Sequence, residues 1–199
     1  MITRTLLTCL LVALHLTANA AIEFSASEKE HSLEGIKFKV LFFKDNGKTI
    51  SYQPPRGWSV SGGGGGLKLT PAALVQAQGE IEQSPLPAPQ PFDEEGMKAL
   101  QQKTLASVPA GSQKAVLVSE EISPLKVHGH ETYGVTVSYQ AFGQDFVMNV
   151  LYVNLPESQL RFRTTARKQN FEKVHGAVRH SILSWHWINR PNAGDARAR

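Results

Sequence analysis

Cysteine occurs once in these 199 residues, so no disulfide can form within the chain and a cystine-stapled scaffold is excluded. Charge is sparse as well. Only 19% of residues carry it and the formal balance is +4, too weak a field for a nucleic-acid binder. No apolar run reaches the roughly twenty residues that cross a bilayer as a helix; the later stretch Val147 to Leu155 is interrupted by Asn149. What the chain does have is core material. Hydrophobic residues make up 41%, near the globular norm, which excludes a disordered polypeptide and supplies one domain.

The N-terminus reads as an address. Arg4, the apolar run Leu6 to Leu16 and the ending Ala18-Asn19-Ala20 match the three parts of a secretory signal peptide, with cleavage after Ala20. Cys9 lies inside the run, where a lipoprotein signal would need it at the end, and Arg4 stands alone, so there is no twin-arginine pair. Removing twenty residues from 199 leaves 179 and discards the cysteine. It also takes one of 21 basic residues and none of the 17 acids, so +4 becomes +3. A cysteine-free chain suits an oxidising compartment. The expected location is periplasmic or extracellular, with no integral membrane segment after signal cleavage and no nucleic-acid partner.

Residues 21–35 read as a polar lead-in, 36–188 as a single α+β domain and 189–199 as a disordered tail. Ile36, Phe38 and Val40 alternate with Lys37 and Lys39, the period of a half-buried strand, and Asn46-Gly47 supplies a hairpin turn to Thr49–Gln53. Trp58–Val60 starts another strand, and the five glycines 62–66 turn it back. Period-two spacing continues over Leu74–Gln83, and the prolines of Ser84–Pro91 predict an extended linker. Asp93 is placed to cap a helix, with Phe92 and Met97 at staple spacing and Pro109 as its stop.

A second helix is predicted over Lys168–Leu183, because Phe171, Val174, Val178 and Ile182 form one stripe. Between the helices lie strands Lys114–Ile122, Glu131–Ala141, Asp145–Asn154 and Gln159–Thr165. The last three are joined by turns too short for parallel crossovers, so they form an antiparallel meander. The strand around Met148 is apolar on both faces and should be covered twice. The expectation is an antiparallel sheet of about six to seven strands covered by helices.

Few residues gather into a recognisable chemistry. Gly66 is followed by Leu67-Lys68-Leu69 rather than Lys-Ser/Thr and a helix, so the glycine run is a turn and not a phosphate loop. Gly57-Trp58-Ser59-Val60-Ser61 lacks the last glycine of a nucleophile elbow. His128 and His130 are separated by one residue, so on a strand they could chelate one metal; a polar turn between two strands also accounts for them. His175 falls within the apolar stripe of the last helix, and His180 on its opposite side. Arg161, Arg163, Arg167 and Lys168, with Lys37 and Lys39, are candidates for a basic patch or for a solvated sheet face. Trp185 and Trp187 are either a packing closure or an exposed partner site.

The order of these pieces resembles the PsbP-like family, whose fold is shared with a Ran-binding nuclear import factor. The resemblance runs from Gly35 to Ile188. It is carried by Ile50-Ser51-Tyr52-Gln53-Pro54-Pro55-Arg56-Gly57-Trp58, by the Pro-rich linker and middle helix, by the Gly134–Thr165 meander and by Ile182-Leu183-Ser184-Trp185-His186-Trp187. It implies a PsbP-like sandwich that acts as a binding or assembly module, with no shared catalytic set. The five glycines depart from the family pattern. The resulting expectation is an exported, non-enzymatic module with no cofactor, meeting an envelope protein partner through Trp185, Trp187, Arg161 and Arg163. The alternative is a periplasmic metal-binding protein using His128 and His130.

Overall fold

The computed structural model describes residues 22–45, 47–63, 65–88 and 90–188. The signal-peptide reading and the tail from 189 lie outside the described residues. The expected alternation builds strands β1 (Glu23–Leu33), β2 (Ile36–Asp45), β3 (Lys48–Tyr52), β4 (Trp58–Gly63), β5 (Gly66–Pro71) and β6 (Gln78–Pro85). Helix α1 (Glu94–Ala106) follows, then β7 (Gln113–Ile122), β8 (Thr132–Ala141), β9 (Gln144–Asn154) and β10 (Ser158–Arg167). One turn of 3₁₀ helix leads into α2 (Phe171–Ile182), and β11 (His186–Ile188) closes the described chain.

These strands form two antiparallel sheets. The larger has seven strands in the order β4-β5-β6-β10-β9-β8-β7, and the smaller has four in the order β1-β2-β3-β11. The fold is α+β, as expected, and the meander β8-β9-β10 is the centre of the larger sheet. A separate smaller sheet was not foreseen. Its first strand comes from the segment expected as a loose lead-in: β1 pairs with β2 down to Leu33↔Ile36. The Glu34-Gly35 turn, with φ of 50° and 79°, makes that hairpin possible. Ile22 and Phe24 are buried beside it, so the lead-in is anchored by its few apolar residues. The other departure is Leu74–Gln83, where the strand begins only at Gln78 and Ala72–Ala77 is a turn.

Strand β9 shows why the molecule has three layers. Its residues from Phe146 to Val153 are all buried. Phe146, Met148, Val150 and Tyr152 pack with Leu100 of α1, and Phe92 and Met97 of the expected staple lie against the same cluster. The opposite face sends Leu151 and Val153 into a core shared with the smaller sheet and with Val178 and Ile182 of α2. Asp93 caps α1 as expected, its carboxylate accepting from the Gly96 N–H at 2.8 Å. The glycine run also carries a packing constraint. A Cβ at Gly62 would lie 2.2 Å from the Phe24 carbonyl oxygen, so this position holds the edge of one sheet against the first strand of the other.

Strand β7 is an edge of the larger sheet and exposes Val116, Leu117, Val118 and Ile122. Its register against β8 slips twice, between Gln113 and Val116 and between Leu117 and Ser119.

Trp185 joins the layers. It is fully buried, with ring centroids 5.9 Å from Phe43, 5.6 Å from Tyr52 and 5.4 Å from Phe162. Phe43 and Tyr52 belong to the smaller sheet and Phe162 to the larger. Of the two tryptophan readings, Trp185 is therefore the packing closure and is not available as a contact residue. Trp185→Ala should cost about 3–5 kcal/mol and separate the sheets, whereas Leu183→Ala, exposed on the same segment, should leave the urea midpoint nearly unchanged. Equal midpoints for the two variants would refute this role.

Candidate functional site

Trp187 lies two residues beyond Trp185, and strand alternation returns its ring to the same side, with the two ring centroids 6.0 Å apart. Strand β11 pairs with β3 at Trp187↔Ile50, which sets the indole at the rim of the smaller sheet, half-buried. Its Nε1–H donates to Asp45 Oδ2 at 2.6 Å, a charge-assisted bond that fixes the ring. Two imidazoles stand edge-on to it, His128 with its centroid at 5.4 Å and His130 at 6.1 Å; His186 lies 6.0 Å from His128.

The two histidines reach this place through a turn. Val127 and His130 exchange backbone hydrogen bonds at 3.1 and 3.0 Å, and His128 and Gly129 take φ of 48° and 86°, a type I′ arrangement. The strand alternation that would aim both imidazoles at one ion is absent. Among the described residues no group of three or more His, Cys, Asp or Glu side chains is arranged to hold a metal.

Around Trp187 the surface opens into a cleft of about 400 Å³. Lys48 and Asp45 line it from the β2–β3 hairpin, Gln83 from the end of β6, and Leu155 to Ser158 from the β9–β10 turn. Gln83 is fixed on two sides, accepting from the Ile22 N–H at 2.6 Å and donating to Ser158 at 2.8 Å. The cleft thus lies where the two sheets meet, with an indole wall, imidazoles, amide and hydroxyl groups and charges of both signs. Such a lining suits a mixed polar and apolar segment of a partner. Sequence reasoning reached Trp187, His128 and His130 but missed Asp45, Lys48, Gln83 and Ser158, which only the sheet junction brings together. The Asn-Gly hairpin was the one signal that touched this neighbourhood.

The other candidates are placed elsewhere. Arg161 and Arg163 lie on β10 opposite Glu82 and Glu80 of β6, with ion pairs of 3.0 Å from Arg161 to Glu82 and 3.1 Å from Arg163 to Glu80. Lys37 and Lys39 meet Glu30 and Glu28 of β1 at 3.6 and 2.7 Å. Each basic strand face is therefore matched by acids on its neighbour, and these residues do not make a basic patch. Ser59 donates to the Thr70 carbonyl at 3.2 Å on an open strand. His175 stacks on Phe171 at 5.0 Å, and His180 is exposed, as expected.

Fold and site together define an antiparallel α+β sandwich with a ligand-sized cleft between its sheets. Solved structures share this architecture at low identity. LpqN of Mycobacterium tuberculosis, described as involved in cell envelope biogenesis, matches with a TM-score of 0.51 and 15% identity over 83% of this chain and 92% of that one. Cyanobacterial PsbP of Synechocystis sp. PCC 6803 matches with a TM-score of 0.49 and 14% identity over 92% and 99%. A protein of Bacteroides thetaiotaomicron VPI-5482 matches with a TM-score of 0.45 and 13% identity over 71% of this chain, which spans 46% of that protein's length. The likeness is one of fold. No family model and no curated protein matches the chain.

Two histidines make the molecule sensitive to acid. Burial, then His128, lowers the pKa of His130 from the usual 6.5. Burial, then Arg179, lowers that of His175, against the opposing pull of Glu172 and Glu121. The folded chain therefore takes up these protons less readily than the unfolded chain. The stability they contribute is complete above about pH 6.5 and is lost as pH falls through the folded values. The melting temperature should drop between about pH 7 and pH 5, and the double variant His130→Gln/His175→Gln should flatten that drop. An equally steep profile in the double variant would remove these residues from the account.

Proposed function

We propose that the chain is an exported binding module that engages a protein partner of the cell envelope through the cleft at Trp187. The observation that carries this reading is the cleft itself. A ring fixed by a charge-assisted hydrogen bond to Asp45 faces imidazoles, an amide and Lys48, at the edge of the core to which Trp185 and Leu155 belong. An aromatic wall with polar groups at its rim is the composition of a protein contact site. The N-terminal signal supports export, the absence of a membrane-length apolar helix among the described residues agrees with it, and LpqN's described part in envelope biogenesis supports the choice of partner. Fractionation should find the chain beginning at Ala21 outside the inner membrane. A photo-crosslinking residue at Lys48 should capture one defined envelope protein, whereas the same residue at the exposed Lys98 of α1 should not. Equal capture from both positions, or a chain retained in the cytoplasm, would overturn the reading.

Metal binding at His128 and His130 is a second reading, favoured by the turn that stands both imidazoles beside Trp187. It needs ligands beyond those two, such as His186, whose ring lies 6.0 Å from that of His128. A zinc titration by calorimetry decides it: saturable heat that disappears in His130→Ala supports the reading, and a flat trace disposes of it.

A further inference from the structure

The end of the larger sheet away from the cleft carries the most exposed apolar side chains of the described residues. Phe142 is 88% exposed and Val75 is 79% exposed. Phe142 is the tip of the β8–β9 hairpin, closed at Ala141↔Gln144; Val75 lies in the turn between β5 and β6. Both tips lie at one end, because β10 finishes there. Arg167 pairs with Phe146, two residues past the β8–β9 turn, and its Nε donates to Gln76, next to Val75, at 2.7 Å. With β6, β10 and β9 intervening, the tips stand on the order of 15 Å apart.

Phe142 is also locally unfavourable. Phe142 and Gly143 have φ of 51° and 70°, the type I′ geometry that favours Asn-Gly. A bulky residue at positive φ is rare and costs stability, and this one gains no burial in return. The charge around the tips has one dominant sign. Arg56, Lys114, Arg167, Lys168 and Lys173 gather at this end, and none of them makes an ion pair among the described residues. The acids there are Asp145, which accepts from Gln140 at 2.8 Å, and Glu172. Arg56 and Lys173 further line a recess of about 220 Å³ with Trp58 and Leu74, and no acid lines it. Lys37, Lys39, Arg161 and Arg163, by contrast, meet glutamates of the neighbouring strand.

We infer that this end docks onto an anionic lipid surface, with Phe142 and Val75 entering the interface and the surrounding cations meeting the headgroups. Exposed apolar tips ringed by basic residues are what peripheral attachment requires: apolar insertion and Coulomb attraction add, and neither suffices alone. The cleft at Trp187 then points away from the membrane. The inference concerns a different surface from the proposed partner site and relies on export only for which membrane it meets.

The test is sedimentation of the purified, processed chain with vesicles of phosphatidylcholine alone or mixed with phosphatidylglycerol. Binding should require the anionic lipid and weaken with added salt. Phe142→Asn should reduce it about tenfold while leaving the melting temperature unchanged or higher, since Asn suits the turn. Arg56→Gln and Lys173→Gln should each reduce it about fivefold, and Lys48→Gln in the cleft should not. Equal binding to neutral vesicles, no binding, or binding indifferent to Phe142→Asn would overturn the inference. Displacement by millimolar inorganic phosphate would overturn it too, since the recess would then be a site for free phosphate. Loss of partner capture at Lys48 with vesicle binding intact would count against the partner site alone.

Discussion

The contact on which the rest depends is the one Trp185 makes between two sheets. Neither sheet buries both of its faces alone, and each would present an apolar surface without the other. The indole closes that gap from a short segment after α2, touching Phe43 and Tyr52 on one side and Phe162 on the other. Its ring nitrogen has no hydrogen-bond partner among the described residues, so packing holds it in place. The polar ties lie around it. Tyr52 meets Ser181 of α2 at 2.8 Å, and the Gln53 N–H donates to Ser184 at 2.8 Å. Burial raises the Tyr52 pKa well above its ordinary value, so the phenol stays neutral in this role. A helix end and a strand are thus pinned together beside an apolar joint.

Much of this architecture was legible in the sequence because it rests on local rules. Period two gave the meander, period 3.6 gave α2, and the Asp93 cap and Phe92–Met97 spacing gave α1. What was not legible depends on distant pairing. The segment 21–35 carries Glu, Lys, Ser and His on a strand whose outer surface faces water, so its polarity hid its order; only the β2 partner reveals it. The apparent strand at Leu74 failed because Gln76 takes a φ of 61°, which alternation cannot signal. At the site, Trp187 and the two histidines were visible as residue types. Asp45 and Gln83 were not, because their meeting follows from sheet packing and not from spacing.

The same distinction governs charge. Lys37, Lys39, Arg161 and Arg163 read as basic when each strand is taken alone, and as neutral once the neighbouring strand brings its glutamates. Such exposed or half-exposed cross-strand pairs contribute little stability singly. They do favour one pairing register over its neighbours, since a shift of two residues along β6 and β10 keeps the same faces outward but leaves one arginine opposite Gln78 or Ser84 in place of a glutamate.

The two slips along β7 bear on how the molecule behaves in a crowd. A straight edge with Val116, Leu117 and Val118 outward would offer a ready template for another chain's backbone. Each slip adds a residue that the ladder cannot use, bending the strand and breaking the even spacing of its outward donors and acceptors. An approaching strand would meet an even ladder only between the slips, the longest stretch running from Ser119 to Ile122. What β7 turns outward is therefore a bent template, poorer for edge-to-edge pairing than a straight strand of the same residues.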